Sequence, residues 1–141
     1  MNAPGAQRPP AAPAFAPYGA GGGIVVTAGV AALDPTTLRP LHPGFEEQAA
    51  WVLDRLDAVL DASGAGRRGL LRVECFLAER RWFGAWNACF ARHFGAEAPA
   101  RTTLVCELPV AGLLIEVQAT AALAAAPAPD VPPTRRRDRS S

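Results

Sequence analysis

Lysine is missing altogether: all fourteen basic residues of this 141-residue chain are arginine. Without it there is no Schiff-base aldolase chemistry, no pyridoxal phosphate anchored as an internal aldimine, and no lysine-dependent phosphate loop. Cysteine and histidine are nearly as scarce. Cys75, Cys89 and Cys106 lie 14 and 17 residues apart, and His42 and His93 complete the set. Nothing matches CxxC, HExxH or another paired ligand spacing, so no metal site is expected. The odd, scattered cysteines fit a reducing compartment. Charge is also low, at 19% of residues with a net charge of +1, which argues against a nucleic-acid partner. No basic start followed by an apolar segment opens the chain, and no apolar run approaches membrane-spanning length. The expected location is the cytoplasm, with no membrane partner.

Half of the residues are apolar, enough for one domain with a single core. Residues 1–13 are rich in Ala, Pro and Gly without periodicity and read as a disordered arm. Residues 124–141 repeat that composition, end in an arginine run and read as a solvated tail. Between them, residues 14–123 carry clear signals. Ile24-Val25-Val26-Thr27-Ala28 is a β-branched run that Gly29 ends, and Asp34-Pro35 with the following threonines reads as a turn. From Phe45 to about Ala62 apolar residues recur at helical spacing, with Glu46 and Glu47 in the first turn and Gly64 as the stop.

Leu70 to Leu77 reads as a strand with Leu71, Val73, Cys75 and Leu77 on one face. Trp82 to Phe94 reads as a helix with Phe83, Trp86, Phe90 and Phe94 as its buried stripe and Asn87 within it. Thr102–Leu108 and Leu113–Leu123 read as two strands of a hairpin turning at 109–112. The order β, β, α, β, α, β, β predicts an α+β architecture: a mainly antiparallel sheet with two helices packed on one face. The other face is half polar and calls for a closed oligomer.

Two residues on these last strands carry chemistry. The Arg101 guanidinium is always charged and offers a planar fork that fits a carboxylate bidentately. Glu116 can hold or polarise a water. Hairpin parity puts Arg101, Thr103 and Glu116 on one sheet face, with Arg101 and Glu116 still roughly 13 Å apart along the ladder. A bulge, a register shift or a neighbouring subunit must close that gap. Cys106 reads as packing, and His93 as a partner for a helix C-terminus.

The segments Thr27-Ala28-Gly29, Leu33-Asp34-Pro35, Gly44-Phe45-Glu46-Glu47-Gln48, Val73-Glu74-Cys75-Phe76-Leu77, Trp86-Asn87, Phe94-Gly95, Pro99-Ala100-Arg101 and Leu114-Ile115-Glu116-Val117 together resemble the Rid (YjgF-type) family of enamine/imine deaminases. Phe15-Ala16-Pro17 ahead of the first strand looks closest to the RutC branch. Counting back from Gly29 puts Phe15, not Tyr18, at the aromatic position.

The resemblance implies a homotrimer of chorismate-mutase-like subunits with sites at the subunit interfaces and no cofactor. It implies hydrolytic deamination of a small enamine or imine carboxylic acid, such as 3-aminoacrylate or 2-aminoacrylate. Arg101 would clamp the carboxylate, Glu116 would handle the water's proton, and Phe15, Asn87 and Thr103 would line the substrate. Ala28, Thr103 and Phe15 depart from residues common in the family. A non-catalytic trimeric metabolite-binding protein is the alternative. Ribonuclease activity, also attached to parts of the family, is disfavoured by the near-neutral charge and the lack of a histidine pair.

Overall fold

In the computed structural model, which describes residues 15–125 and Asp130, both helices form where apolar spacing predicts them. The expected arm over 1–13 and nearly all of the tail over 124–141, its arginine run included, lie outside the described residues. Helix α1 spans Phe45–Ser63 and buries Phe45, Gln48, Ala49, Val52, Leu53, Leu56, Val59 and Leu60. Its acidic first turn suits the positive end of the helix dipole, and Gly64 closes it in the left-handed conformation with its N–H on Asp61 O. Helix α2 spans Phe83–Phe94 and buries Trp86, Cys89, Phe90 and Phe94. His93, in its last turn, lies 2.9 Å from Asp57 Oδ2 on α1, and Arg67 reaches the same carboxylate oxygen at 2.7 Å. Among the described residues no helix is long and apolar enough to cross a membrane.

Six strands form one sheet: β1 (Tyr18–Gly21), β2 (Ile24–Thr27), β3 (Val30–Ala31), β4 (Leu70–Leu77), β5 (Ala100–Val105) and β6 (Ile115–Ala122). Their order is β1-β2-β6-β4-β5, with β3 also paired to β6. All pairs are antiparallel except β4–β5, which is parallel. Burial alternates along β6, so that Ile115, Val117, Ala119 and Ala121 face the helices while Glu116, Gln118 and Thr120 face away. Together with Val25, Val73, Cys75 and Leu77 they close the core against Val52, Leu53, Leu56, Leu60, Trp86 and Phe90. The expected α+β architecture, with both helices on one face of a mainly antiparallel sheet, is therefore present.

The expected hairpin is not. β5 and β6 do not pair with each other; β4 lies between them, with Val73 opposite Arg101 on one side and Ala119 on the other. The nine residues between β5 and β6 can cross one strand, and β4, apolar on its helix face, gains two partners by taking the inner position. Parity then changes. Arg101 and Thr103 share the helix side with Val73 and Cys75, whereas Glu116 shares the open side with Phe76 and Leu104. Arg101 and Glu116 thus lie on opposite faces, not on one.

Three smaller expectations also fail. A register shift between Leu70 and Arg72 turns Leu70 toward the core and leaves Leu71 49% exposed. Phe83 is 46% exposed, because the first turn of α2 overhangs the edge strand β5 and meets Arg101 there. Cys106 follows the end of β5 and is exposed rather than packed.

Gln48 stands on the buried stripe of α1 with no solvent exposure. Its Nε2 donates to His42 O at 2.8 Å and Gly112 O at 2.9 Å, and its Oε1 accepts from Leu114 N at 2.9 Å. One amide therefore ties the loop before α1 to the loop before β6. Gln48→Leu would strand two carbonyls and an N–H in the interior, and should cost about 3 kcal/mol or more in urea unfolding. Gln48→Glu should be no better, since it sets an oxygen against both carbonyls.

Candidate functional site

A bulge between β2 and β3 shapes one half of the site. Val26 pairs with Thr120 and Val30 with Val117, so Thr27, Ala28 and Gly29 face only two residues of β6. The extra residue breaks the ladder. The orphaned Ala119 N–H is taken by Thr27 Oγ1 at 2.9 Å, while Ala28 N–H continues the β1–β2 ladder, donating to Pro17 O at 2.9 Å. That second bond draws the segment carrying Phe15 alongside the bulge. Gly29 is thereby laid against the Glu116 carboxylate, so closely that a Cβ on Gly29 would collide with Glu116 Oε1.

Glu116 stands at the edge of a cavity of about 420 Å³ whose other walls include Phe15, Leu33, Pro35, Leu38, Val110 and Leu113. Partial burial raises its carboxyl above the ordinary carboxylate range, because removing a carboxylate from water disfavours its charged form. Phe15 is 66% exposed and also borders a second, smaller cavity against Trp51 and Arg55 on α1. Tyr18 is directed elsewhere, its hydroxyl donating to Ala62 O.

Arg101 forms the other half, on the opposite sheet face. Its Nη2 donates to Asn87 Oδ1 at 2.6 Å, and the guanidinium lies 4.9 Å from the Phe90 ring centre and 5.9 Å from that of Phe83. Aromatic faces attract a weakly hydrated guanidinium and hold it in one orientation. Among the described residues no carboxylate pairs with Arg101, which leaves most of its fork of donors for a ligand. Asn87 is on the exposed side of α2 rather than within the buried stripe. There it braces the arginine.

Thr103, two residues further along β5, has its Oγ1 buried without a hydrogen-bond partner. Beside it, burial pushes the Cys75 thiol up to about 12, which makes that sulfur a packing atom at neutral pH. Among the described residues no cluster of His, Cys, Asp and Glu is arranged to hold a metal ion.

The structure thus brings Arg101 together with Asn87, and Glu116 together with Phe15, but keeps the two pairs apart. Within one chain they are separated by roughly 10 Å along the strands and roughly 10 Å across them, with the sheet in between. Sequence reading did not find the roles of Gly29, Thr27 and Gln48. A polar residue in the middle of an apolar helical stripe was the available signal for Gln48. A threonine just before a glycine at a strand end was the signal for the bulge.

Comparison with known proteins fits this geometry. Residues 5–123 match the family model described as Endoribonuclease L-PSP, and the chain belongs to this family, the Rid (YjgF-type) proteins. A Synechocystis protein named RutC family protein slr0709 is 38% identical over 107 residues, covering 74% of this chain and 82% of its own length. The chloroplastic Reactive Intermediate Deaminase A of Arabidopsis thaliana is 33% identical over 101 residues, 71% of this chain and 54% of its own. A crystal structure from Entamoeba histolytica, described under endoribonuclease L-PSP, superposes with a TM-score of 0.70 at 30% identity. It covers 78% of this chain and 88% of that one.

The raised Glu116 carboxyl has a signature in stability. In the folded state it binds its proton more tightly than when unfolded, so its contribution is fully present below the ordinary value of 4.5 and is lost as pH rises through the folded value. Glu116→Gln cannot ionise. The stability of Glu116→Gln relative to wild type should therefore be flat below that ordinary value and increase above it. Urea midpoints measured from pH 3.5 to 7 check this; a difference independent of pH would mean that the carboxylate is as well solvated folded as unfolded.

Proposed function

We propose that the protein is a cytoplasmic homotrimeric deaminase that hydrolyses small enamine or imine carboxylic acids and needs no cofactor. The observation that carries this reading is the division of the site: an unpaired, ring-stacked guanidinium on one sheet face and a half-buried, protonatable carboxyl on the other. Neither half suffices alone, and only a second copy of the chain can supply the missing one. The open face favours such packing, since Ile24, Val26 and Leu104 are 39%, 51% and 53% exposed on it among the polar Arg72, Glu74, Thr102 and Gln118. Strand β5 also leaves one edge unpaired, a ready surface for another copy.

In this reading Arg101 of one subunit binds the substrate carboxylate bidentately and Glu116 of a neighbour faces the reacting carbon. Protonation of the enamine carbon gives the iminium ion, the protonated imine. A water held by Glu116 adds its oxygen to the imine carbon as the carboxylate takes a proton, giving a carbinolamine. The same carboxyl returns the proton to nitrogen, the C–N bond breaks as the freed carboxylate takes the hydroxyl proton, and ammonia leaves with a carbonyl acid as the second product. A carboxyl whose proton affinity is raised by burial is better able to give that proton back after taking it. Imines are electrophilic enough that placement of water and substrate supplies much of the rate.

Ribonuclease chemistry fits less well. His93 is committed to Asp57 beside Arg67, and His42 lies near Glu47 before α1, so the two histidines stand in separate clusters and cannot act as an acid–base pair.

Arg101→Ala and Glu116→Gln should each lower ammonia release from freshly generated 2-aminoacrylate by about 10²-fold or more. Co-expressed in equal amounts, they should recover about one quarter of the wild-type sites by random assortment in a ring. No recovery, with mixed oligomers verified by mass, would place both residues in one subunit's site and reject the shared arrangement. Ammonia release unaffected by either substitution would reject the deaminase reading itself.

A further inference from the structure

We infer that the groove between the outer faces of α1 and α2 binds a free α-amino acid with a short apolar side chain. The ammonium sits against Glu46 and Asp54 of α1, and the carboxylate sits on Arg92 of α2. This site is separate from Arg101 and Glu116 and does not depend on the protein being a deaminase.

The first observation is the charge across the groove. Glu46 and Asp54 are exposed on α1, just over two turns and about 12 Å apart along its axis, with Ala50 halfway between them. Arg92 stands on the opposite wall, in the last turn of α2. The three border one cavity of about 250 Å³, yet among the described residues none of them forms an ion pair. Opposite charges thus face each other across a gap that neither wall closes. A simple cation there meets the Arg92 guanidinium, and a simple anion meets two carboxylates. A ligand with one charge of each sign satisfies both walls.

The second observation is how the groove is built. Ala50 has no side chain beyond Cβ, which leaves a notch on α1 where an ammonium comes within reach of both carboxylates. Arg92 Nη2 donates to Cys89 Sγ at 3.3 Å. That bond steadies the guanidinium and leaves its other N–H groups for a bidentate carboxylate. His93 closes one end, and its Nε2 lies 2.9 Å from Asp57 Oδ2, so it does not compete for the ligand. The floor is Leu53 and Cys89, both buried, an apolar surface for an aliphatic side chain. The volume falls below the range usual for drug-sized ligands, which suits a molecule of valine size.

The groove also belongs to each subunit by itself. Both helices lie across the sheet from Glu116, Gln118 and Thr120, and none of the groove residues is on β5. Copies that meet through the open face and the β5 edge leave it unfilled.

The test titrates L-valine into the full chain and follows chemical-shift changes in its NMR spectrum. Isobutylamine, which lacks the carboxylate, and isovalerate, which lacks the ammonium, are the comparison ligands. Valine should bind with a Kd of about 1 mM, the range open to charge pairs screened by solvent. Arg92→Gln should weaken it by about 10-fold or more, and so should Glu46→Gln combined with Asp54→Asn. Arg101→Ala should leave valine binding unchanged, and in that variant isobutylamine and isovalerate should each bind about 10-fold more weakly than valine. No binding of valine to the wild type, or binding unchanged in both groove variants, overturns the inference. Loss of valine in Arg101→Ala alone moves the ligand to the sheet edge and overturns it equally. Isobutylamine or isovalerate binding to Arg101→Ala as tightly as valine would reject a zwitterion as the ligand.

Discussion

Because β4 lies between β5 and β6, every side chain that β5 sends toward the helices is divided by the sheet from every side chain that β6 sends away. Arg101 and Glu116 stand on those two strands with opposite parity. No rotamer of either can bridge the gap, and a one-residue slip that brought them to one face would carry Ile115, Val117 and Ala119 out of the core. The separation is thus enforced by core burial rather than by anything in the site. The composite site between copies proposed above would follow from this topology, and the exposed apolar residues on the open face would favour such a meeting.

The two halves also differ in kind, which suits divided labour. Arg101 is a fixed charge, stacked beside Phe90 and steadied by Asn87, and nothing in its surroundings needs to change its protonation. Glu116 is held where its protonation is adjustable, half-withdrawn from water against the backbone of Gly29. The first is suited to binding a charge, and the second to moving a proton.

Helix α1, helix α2 and strand β4 were legible in the residues because each carries its own period: 3.6 along Phe45 to Leu60, and two along Val73, Cys75 and Leu77. The ends of α1 were legible too, from the acidic first turn and Gly64. What could not be read was pairing. The loop after β5 is short enough for a hairpin and long enough for a crossover, and nothing in residues 106–114 chooses; β4 makes the choice by burying itself between two neighbours. From that one error followed the misplacement of Arg101 and Glu116 on one face, and of Cys106 in the core. Leu71 and the β2–β3 bulge escaped for a related reason, since one extra residue reverses parity without changing composition. For the candidate site the residues offered types and the structure supplies their grouping: Arg101 with Asn87, and Glu116 with Phe15.

The bulge deserves its place beside the strand order as a second constraint. Without the extra residue, β2 and β3 would continue as one regular strand along β6, Ala119 N–H would find a backbone carbonyl, and Thr27 would need no buried hydroxyl. Phe15 is anchored separately, because the Ala28 N–H donates to Pro17 O as the next rung of the β1–β2 ladder. The irregularity places the glycine under Glu116, and the regular β1–β2 pairing beside it places the aromatic ring at its cavity. A reaction that asks mainly for correct placement of water and substrate is well served by a site whose parts are fixed by backbone geometry on one side and by aromatic stacking on the other. In the proposed deaminase the catalytic demand would fall on positioning, and fixed position is the property this sheet supplies.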